Sequence, residues 1–199
     1  MTMTCKEFLG SIRKKTKRIE DMPQRAQEVL NFFGISDFSS GVPIVEILSK
    51  FGFKIFQSDL EPDDLAAYIV VDPHFEDTFG SSKITCVDIN DSIGHKIFSL
   101  AHELAHYIFD FNESEKLIFY DTYYRHDHDD QLEEKRANQF AANLLMPEEV
   151  FRKEYAKCKK DSKVDTVSEL SRRFQVSPKA VLMRFKELGI QGFESDLEI

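Results

Sequence analysis

The sequence predicts an α+β fold: a mainly helical domain with a small antiparallel β-sheet packed beside one apolar helix, and a helix-turn-helix-like pair near its end. Three observations predict it. Apolar residues recur at helical spacing on both sides of residues 53–89, where they run instead in short β-branched or aromatic segments. Proline and glycine fall where helices should start and stop. Two helical patterns late in the chain, within "LSRRFQVSPKAVLMRFKELGI" (170–190), are joined by a short turn.

Residues 4–33 should be helical, with a break near "EDMPQ" (20–24) where Pro23 opens a second helix and Gly34 ends it. A third helix begins at Pro43, carries Ile44, Ile47, Leu48 and Phe51 at helical spacing, and stops at Gly52. The strands are "FKIFQS" (53–58), "AAYIVV" (66–71) and "KITCVDI" (83–89), with a turn region over 73–82. From Ile93 to Phe111 the apolar spacing is helical around most of the circumference, so that helix should be buried. The acidic and aromatic stretch 112–130 is expected to be a loop or small excursion. A long helix over 130–146 must end before Pro147, which opens another helix through Cys158. A helix over 167–174, a turn, the N-cap Ser177, Pro178 and a terminating Gly189 complete the chain. Residues 1–160 are therefore expected to form one domain and 161–199 a C-terminal element packed on it.

Composition narrows the function. With 199 residues, 42% hydrophobic, and 18 Phe against no Trp, the chain can build a real core. Its net charge of −9 argues against sequence-independent binding of DNA or anionic membranes. The basic run "SIRKKTKR" (11–18) is expected to be a solvated helix face. Cys5, Cys86 and Cys158 are far apart and odd in number, so no disulfide framework is indicated. No apolar stretch of signal-peptide or membrane-helix length appears, and a cytoplasmic location is expected.

The chemistry concentrates in "FSLAHELAHYIFDF" (98–111). Residues four apart share one helix face, so His102 and His106 can aim imidazole nitrogens at one point. Glu103, about 100° around the axis, is poorly placed as a third ligand yet within reach of a water beside the metal. That is the arrangement of a zinc-dependent peptide hydrolase. The bland reading is a pair of structural histidines, but three polar groups on so apolar a helix are costly to bury without a partner.

A catalytic zinc needs a third protein ligand. Phe109 and Asn112 occupy the positions where a longer histidine motif would continue, so the ligand must come from elsewhere. "LEEKRANQFAANLLMP" (132–147) offers Glu133 and Glu134, and spacing alone does not choose between them. From Glu134, one face carries Asn138, Ala141, Ala142 and Leu145. Small alanines would let this helix approach closely, and Asn138 could hydrogen-bond a ligand histidine.

The pairing of "FSLAHELAHYIF" with "EEKRANQFAANLLMP" resembles the ImmA/IrrE family of metallopeptidases. The likeness extends over about residues 25–190, from the strands ahead of the motif helix to the C-terminal pair. It implies a gluzincin-like core with His102, His106 and Glu134 as ligands of Zn2+ and Glu103 as catalytic base. It favours Glu134 because that residue stands in the family's E-x-x-A-N position. Ala105 and Ser99 depart from the commoner glycine and threonine without removing a ligand. The resemblance further implies an endopeptidase acting on a helix-turn-helix transcriptional repressor. Family members often carry a DNA-binding domain, which here is expected to belong to a separate protein.

Other features carry less. "YYRHDHDD" (123–130) could supply Tyr124 or His126 to an oxyanion, or bind stray metal through His126 and His128; a solvated loop is the simpler reading. The C-terminal pair offers Lys179, Arg184 and Lys186 to DNA, but its apolar residues and the acidic chain favour a packing unit. The alternative to an enzyme is a regulatory protein that holds a repressor or DNA without cutting it.

Overall fold

Thr4 begins the first helix, α1 (Cys5–Ile12), by exchanging hydrogen bonds with Glu7. The computed structural model describes residues 3–60, 65–111, 117–122, 130–160 and 165–191. Helix α1 ends well before the expected break near residue 20, and α2 (Met22–Phe33) starts after a short 3-10 turn at Ile19–Asp21. Of the intervening basic residues, Arg13 and Lys17 donate to backbone carbonyls described below. Helix α2 ends on Gly34 at φ 67°, a left-handed conformation that glycine adopts without a Cβ penalty. Helix α3 (Ile44–Lys50) buries Ile44, Ile47 and Leu48.

The strands are β1 (Lys54–Ser58), β2 (Leu65–Val71) and β3 (Lys83–Asp88), with a short helix α4 (Glu76–Phe79) between the last two. After α5 (Ile93–Phe109) comes a fourth strand, β4 (Leu117–Thr122), in the stretch expected to be a loop or a small excursion. Strand order is β1-β3-β2-β4. Strand β2 pairs antiparallel with β3 and β4, whereas β1 runs parallel to β3. The α+β class holds, but the sheet is mixed and four-stranded instead of three-stranded and antiparallel. Alternation of side chains identifies a strand without naming its neighbour or direction. The β4 segment was hidden by the acidic residues flanking "LIFYDT", a run with clear β propensity. Central position explains why β2 and β3 are buried on both faces while the edge strand β1 is largely exposed.

Helix α5, capped by Ser92, lies against β2 and β3 and is buried at every residue from Ser99 to Phe109. Helix α6 (Asp130–Leu145) packs between α5 and α2. Ala101 and Ala105 on α5, and Ala137 and Ala141 on α6, are all buried. Ala105, where the family commonly has glycine, is thus accommodated in the core.

Helix α7 (Glu148–Cys158) follows Pro147, then α8 (Thr166–Phe174) and α9 (Pro178–Glu187), the last capped by Ser177. Phe151 meets the rings of Phe174 and Phe185, so these helices share one apolar core with the rest. Arg184 is only 1% exposed. Its guanidinium donates to the Met146 carbonyl at 3.1 Å and to Asn143 Oδ1 at 2.8 Å, and pairs with Glu187 at 2.7 Å. Its guanidinium is thus engaged inside the fold.

The turn between α8 and α9 presses on the start of α5. A Cβ at Gly94 would lie 2.5 Å from the Val176 carbonyl carbon and 2.6 Å from the Ser177 nitrogen, both backbone atoms. Gly94→Ala should therefore destabilise the protein by about 1–3 kcal/mol, the usual cost of overpacking. That exceeds the gain of up to about 1 kcal/mol that alanine offers a helix. A lower urea midpoint at unchanged slope is the expected result. Among the described residues, no helix is long and apolar enough to cross a membrane.

Candidate metal centre

Helices α5 and α6 bring three donors to one point. The Nε2 atoms of His102 and His106 are 3.0 Å apart. Glu134 places Oε2 3.0 Å from His102 Nε2 and Oε1 3.4 Å from His106 Nε2. Donors at about 2.0–2.1 Å from a tetrahedral ion stand about 3.3 Å from one another, close to these separations. Two imidazoles and a carboxylate form the donor set of a catalytic zinc site, and other divalent ions accept it too. His102 and His106 are buried, whereas the Glu134 side chain is 32% exposed and marks the open side.

The other ring nitrogens are occupied. His102 Nδ1 is 3.2 Å from Asn138 Oδ1, and His106 Nδ1 is 2.9 Å from Asp110 Oδ2. With both oxygens accepting, each Nδ1 carries a proton, and Nε2 is the nitrogen left to face an ion. Arg136 pairs with Asp110 through Nη2 and lies 3.8 Å from Glu133 through the same atom.

The C-terminal end of α5 is unusually well satisfied. An α-helix leaves its last four carbonyls without an internal donor. Here the His106 carbonyl accepts from the backbone of Asp110 and Phe111. Arg13 donates to the Tyr107 and Ile108 carbonyls at 2.8 and 3.2 Å, and Lys17 donates to that of Phe109. The basic run 11–18 is therefore partly a cap for α5 and not simply a solvated face.

Charge in this pocket favours a cation. Burial alone would lower the pKa of His106. Hydrogen bonds donated by the ring to the Asp110 and Glu134 carboxylates, with the nearby charges of Glu103 and Glu134, overcome it and raise the value from 6.5 to about 10. Burial would likewise raise Glu134, but the two imidazoles hold its carboxyl far below the usual range. A histidine with a raised folded-state pKa adds stability that is fully present below its unfolded value, near 6.5, and is lost as the pH climbs through about 10. Chelated protein should accordingly melt at lower temperature as the pH rises across that interval. Zinc must displace the same proton, so its apparent affinity should rise there. A flat melting profile in chelated protein would contradict the anionic pocket.

Glu103 is fully buried on the same helical turn, and its charge is felt at His106. Of the two glutamates that spacing left open, Glu134 joins the histidines and Glu133 turns toward Arg136. Among the described residues, His102, His106 and Glu134 are the group of His, Cys, Asp and Glu side chains close enough to share an ion. Tyr124, His126 and His128 lie outside the described residues. Sequence reading missed Asp110 and Arg136. The four-residue step from His106 to Asp110 was a usable signal, since it places both on one face. Nothing in the sequence tied Arg136, Arg13 or Lys17 to them.

Comparison with known proteins agrees with this architecture. A transcriptional regulator from Mycobacterium tuberculosis has a similar fold, at 18% identity and a TM-score of 0.55. The match covers 90% of this chain and 50% of that one, so the chain spans half the regulator's length. No curated protein matches the chain as a relative. The family model described as the IrrE N-terminal-like domain, Peptidase_M78, matches residues 48–186, taking in the sheet, both metal-site helices and most of the C-terminal pair. A match across well over half the chain makes it a member of the ImmA/IrrE metallopeptidase family.

Proposed function

We propose that the protein is a zinc-dependent endopeptidase whose ligands are His102, His106 and Glu134 and whose general base is Glu103. The observation that carries this reading is the convergence of three donors beside a buried glutamate on the same helical turn. A divalent ion held there supplies Lewis-acid polarisation of the scissile carbonyl and makes a water more acidic. The chain's own residues do the rest. Asn138 and Asp110 keep both imidazoles in the tautomer that presents Nε2. Glu103 takes the proton of the attacking water and returns it to the leaving amine. Its burial keeps that exchange away from bulk solvent.

The substrate proposed is a repressor-type DNA-binding protein encountered in the cytoplasm, as the family resemblance implies. Free Cys5, Cys86 and Cys158 are compatible with a reducing compartment. Direct DNA binding is not part of the proposal. Arg184 is engaged internally, and the chain carries a net charge of −9. The test is incubation of purified protein and zinc with a purified candidate repressor, followed by mass spectrometry. Defined fragments support the enzyme. A stable complex with intact repressor would favour a regulatory protein that binds without cutting.

A further inference from the structure

His106 is held by more than the motif that contains it. Its Nδ1 meets Asp110 Oδ2 at 2.9 Å, and the Asp110 side chain is 5% exposed. The other Asp110 oxygen is paired with Arg136. Arg136 also donates through Nη1 to the Lys17 carbonyl at 3.4 Å, while the Lys17 ammonium reaches the Phe109 carbonyl. Arg13 completes the group, donating to the Tyr107 and Ile108 carbonyls and lying 5.0 Å from the ring centres of Tyr107 and Phe111. The stretch 107–111 is thus gripped from two sides, by α6 and by residues 13–17. The latter lie outside the segment that matches the family.

We propose that residues 13–17, Arg136 and Asp110 form a clamp that fixes the ring of His106 and thereby sets the affinity of the centre for a divalent metal. Asp110 is the positioning residue. By accepting from Nδ1–H it restrains the ring and leaves Nε2 as the ligand atom, so that nitrogen is aimed inward before an ion arrives. Arg136 keeps the Asp110 carboxylate from turning away. Lys17 and Arg13 hold the last turn of α5, so the Cα atoms of His106 and Asp110 keep their spacing. This inference rests on the metal-centre reading above and extends it to residues that touch no substrate.

The experiment is zinc affinity of the full-length protein, measured by competition with a chromophoric chelator, with cobalt(II) absorption as a second readout. Wild type is compared with Asp110→Ala, Asp110→Asn, Arg136→Gln and Lys17→Ala. Asp110→Ala should weaken zinc binding by about 10–100-fold, the usual effect of losing a ligand's hydrogen-bond partner. It should also shift the cobalt bands. Asp110→Asn retains an acceptor oxygen and should recover part of the affinity. Arg136→Gln and Lys17→Ala should show smaller losses of the same sign. A merely structural role would lower the melting temperature while leaving affinity and cobalt spectrum of the folded protein unchanged, and that result overturns the clamp. If Asp110→Ala fails to fold, wild-type affinity in both Arg136→Gln and Lys17→Ala overturns it equally. A wild type that takes up neither zinc nor cobalt sinks the metal-centre reading and the clamp together; a wild type that binds, with variants that bind alike, sinks the clamp alone.

Discussion

Glu103→Gln should keep zinc in place and lower peptide-bond hydrolysis by about 10²–10⁴-fold, the range a positioned general base contributes. The substitution preserves volume in a site where Glu103 has no exposed surface, so little repacking is expected. What it removes is the capacity to accept a proton from water. The metal donors, His102, His106 and Glu134, are untouched. Two measurements together make the case: zinc per chain near wild type, and cleavage of the repressor nearly abolished. Cleavage at the wild-type rate would mean that another group serves as base and that the assigned mechanism is wrong. Loss of metal along with activity would assign Glu103 a part in holding the ion.

His106→Ala should abolish stoichiometric metal binding and the stability that goes with it. One of three converging donors disappears, and the two that remain come from different helices. A ligand that binds only the folded state adds about 4 kcal/mol at a thousand times its dissociation constant. For a chain of this size that corresponds to about 8–16 °C in melting temperature. Wild type should therefore show about one zinc per chain and a melting temperature that falls by that amount on chelation. The variant should show neither the zinc nor the chelator response. A variant that still responds to zinc would return His106 to the role of a structural histidine. The change also leaves the Asp110 side chain, 5% exposed, without the imidazole it faces, so some loss of stability independent of zinc is expected.

Much of the fold was legible because its signals are local. Gly34, Ser177 and Pro178 act within one turn of the chain, and the structure uses each where the sequence places it. Helices α5 and α6 announce themselves by apolar spacing and by proline after the second. Strand pairing was not legible. Nothing local tells β1 that β3, rather than β2, will lie beside it, or that the two will run parallel. The same limit hid β4 behind its acidic flanks and left open whether Arg184 faces solvent, whereas the structure buries it.

The candidate site divides along the same line. The sequence by itself determined that His102 and His106 share a face, because helical periodicity requires it at a four-residue step. It also put Glu103 on that turn, and offered Glu133 and Glu134 on a second helix able to pack closely. Only the tertiary structure decided that Glu134 reaches the histidines, because the approach of α6 to α5 depends on contacts distributed over both helices. Only the tertiary structure brought Arg13 and Lys17 to the end of α5, more than ninety residues away in the chain, and Arg136 to Asp110. Periodicity carries information over one or two turns. The carbonyls at the end of α5 had to find donors somewhere, and which segment supplied them was set by how the chain as a whole packs.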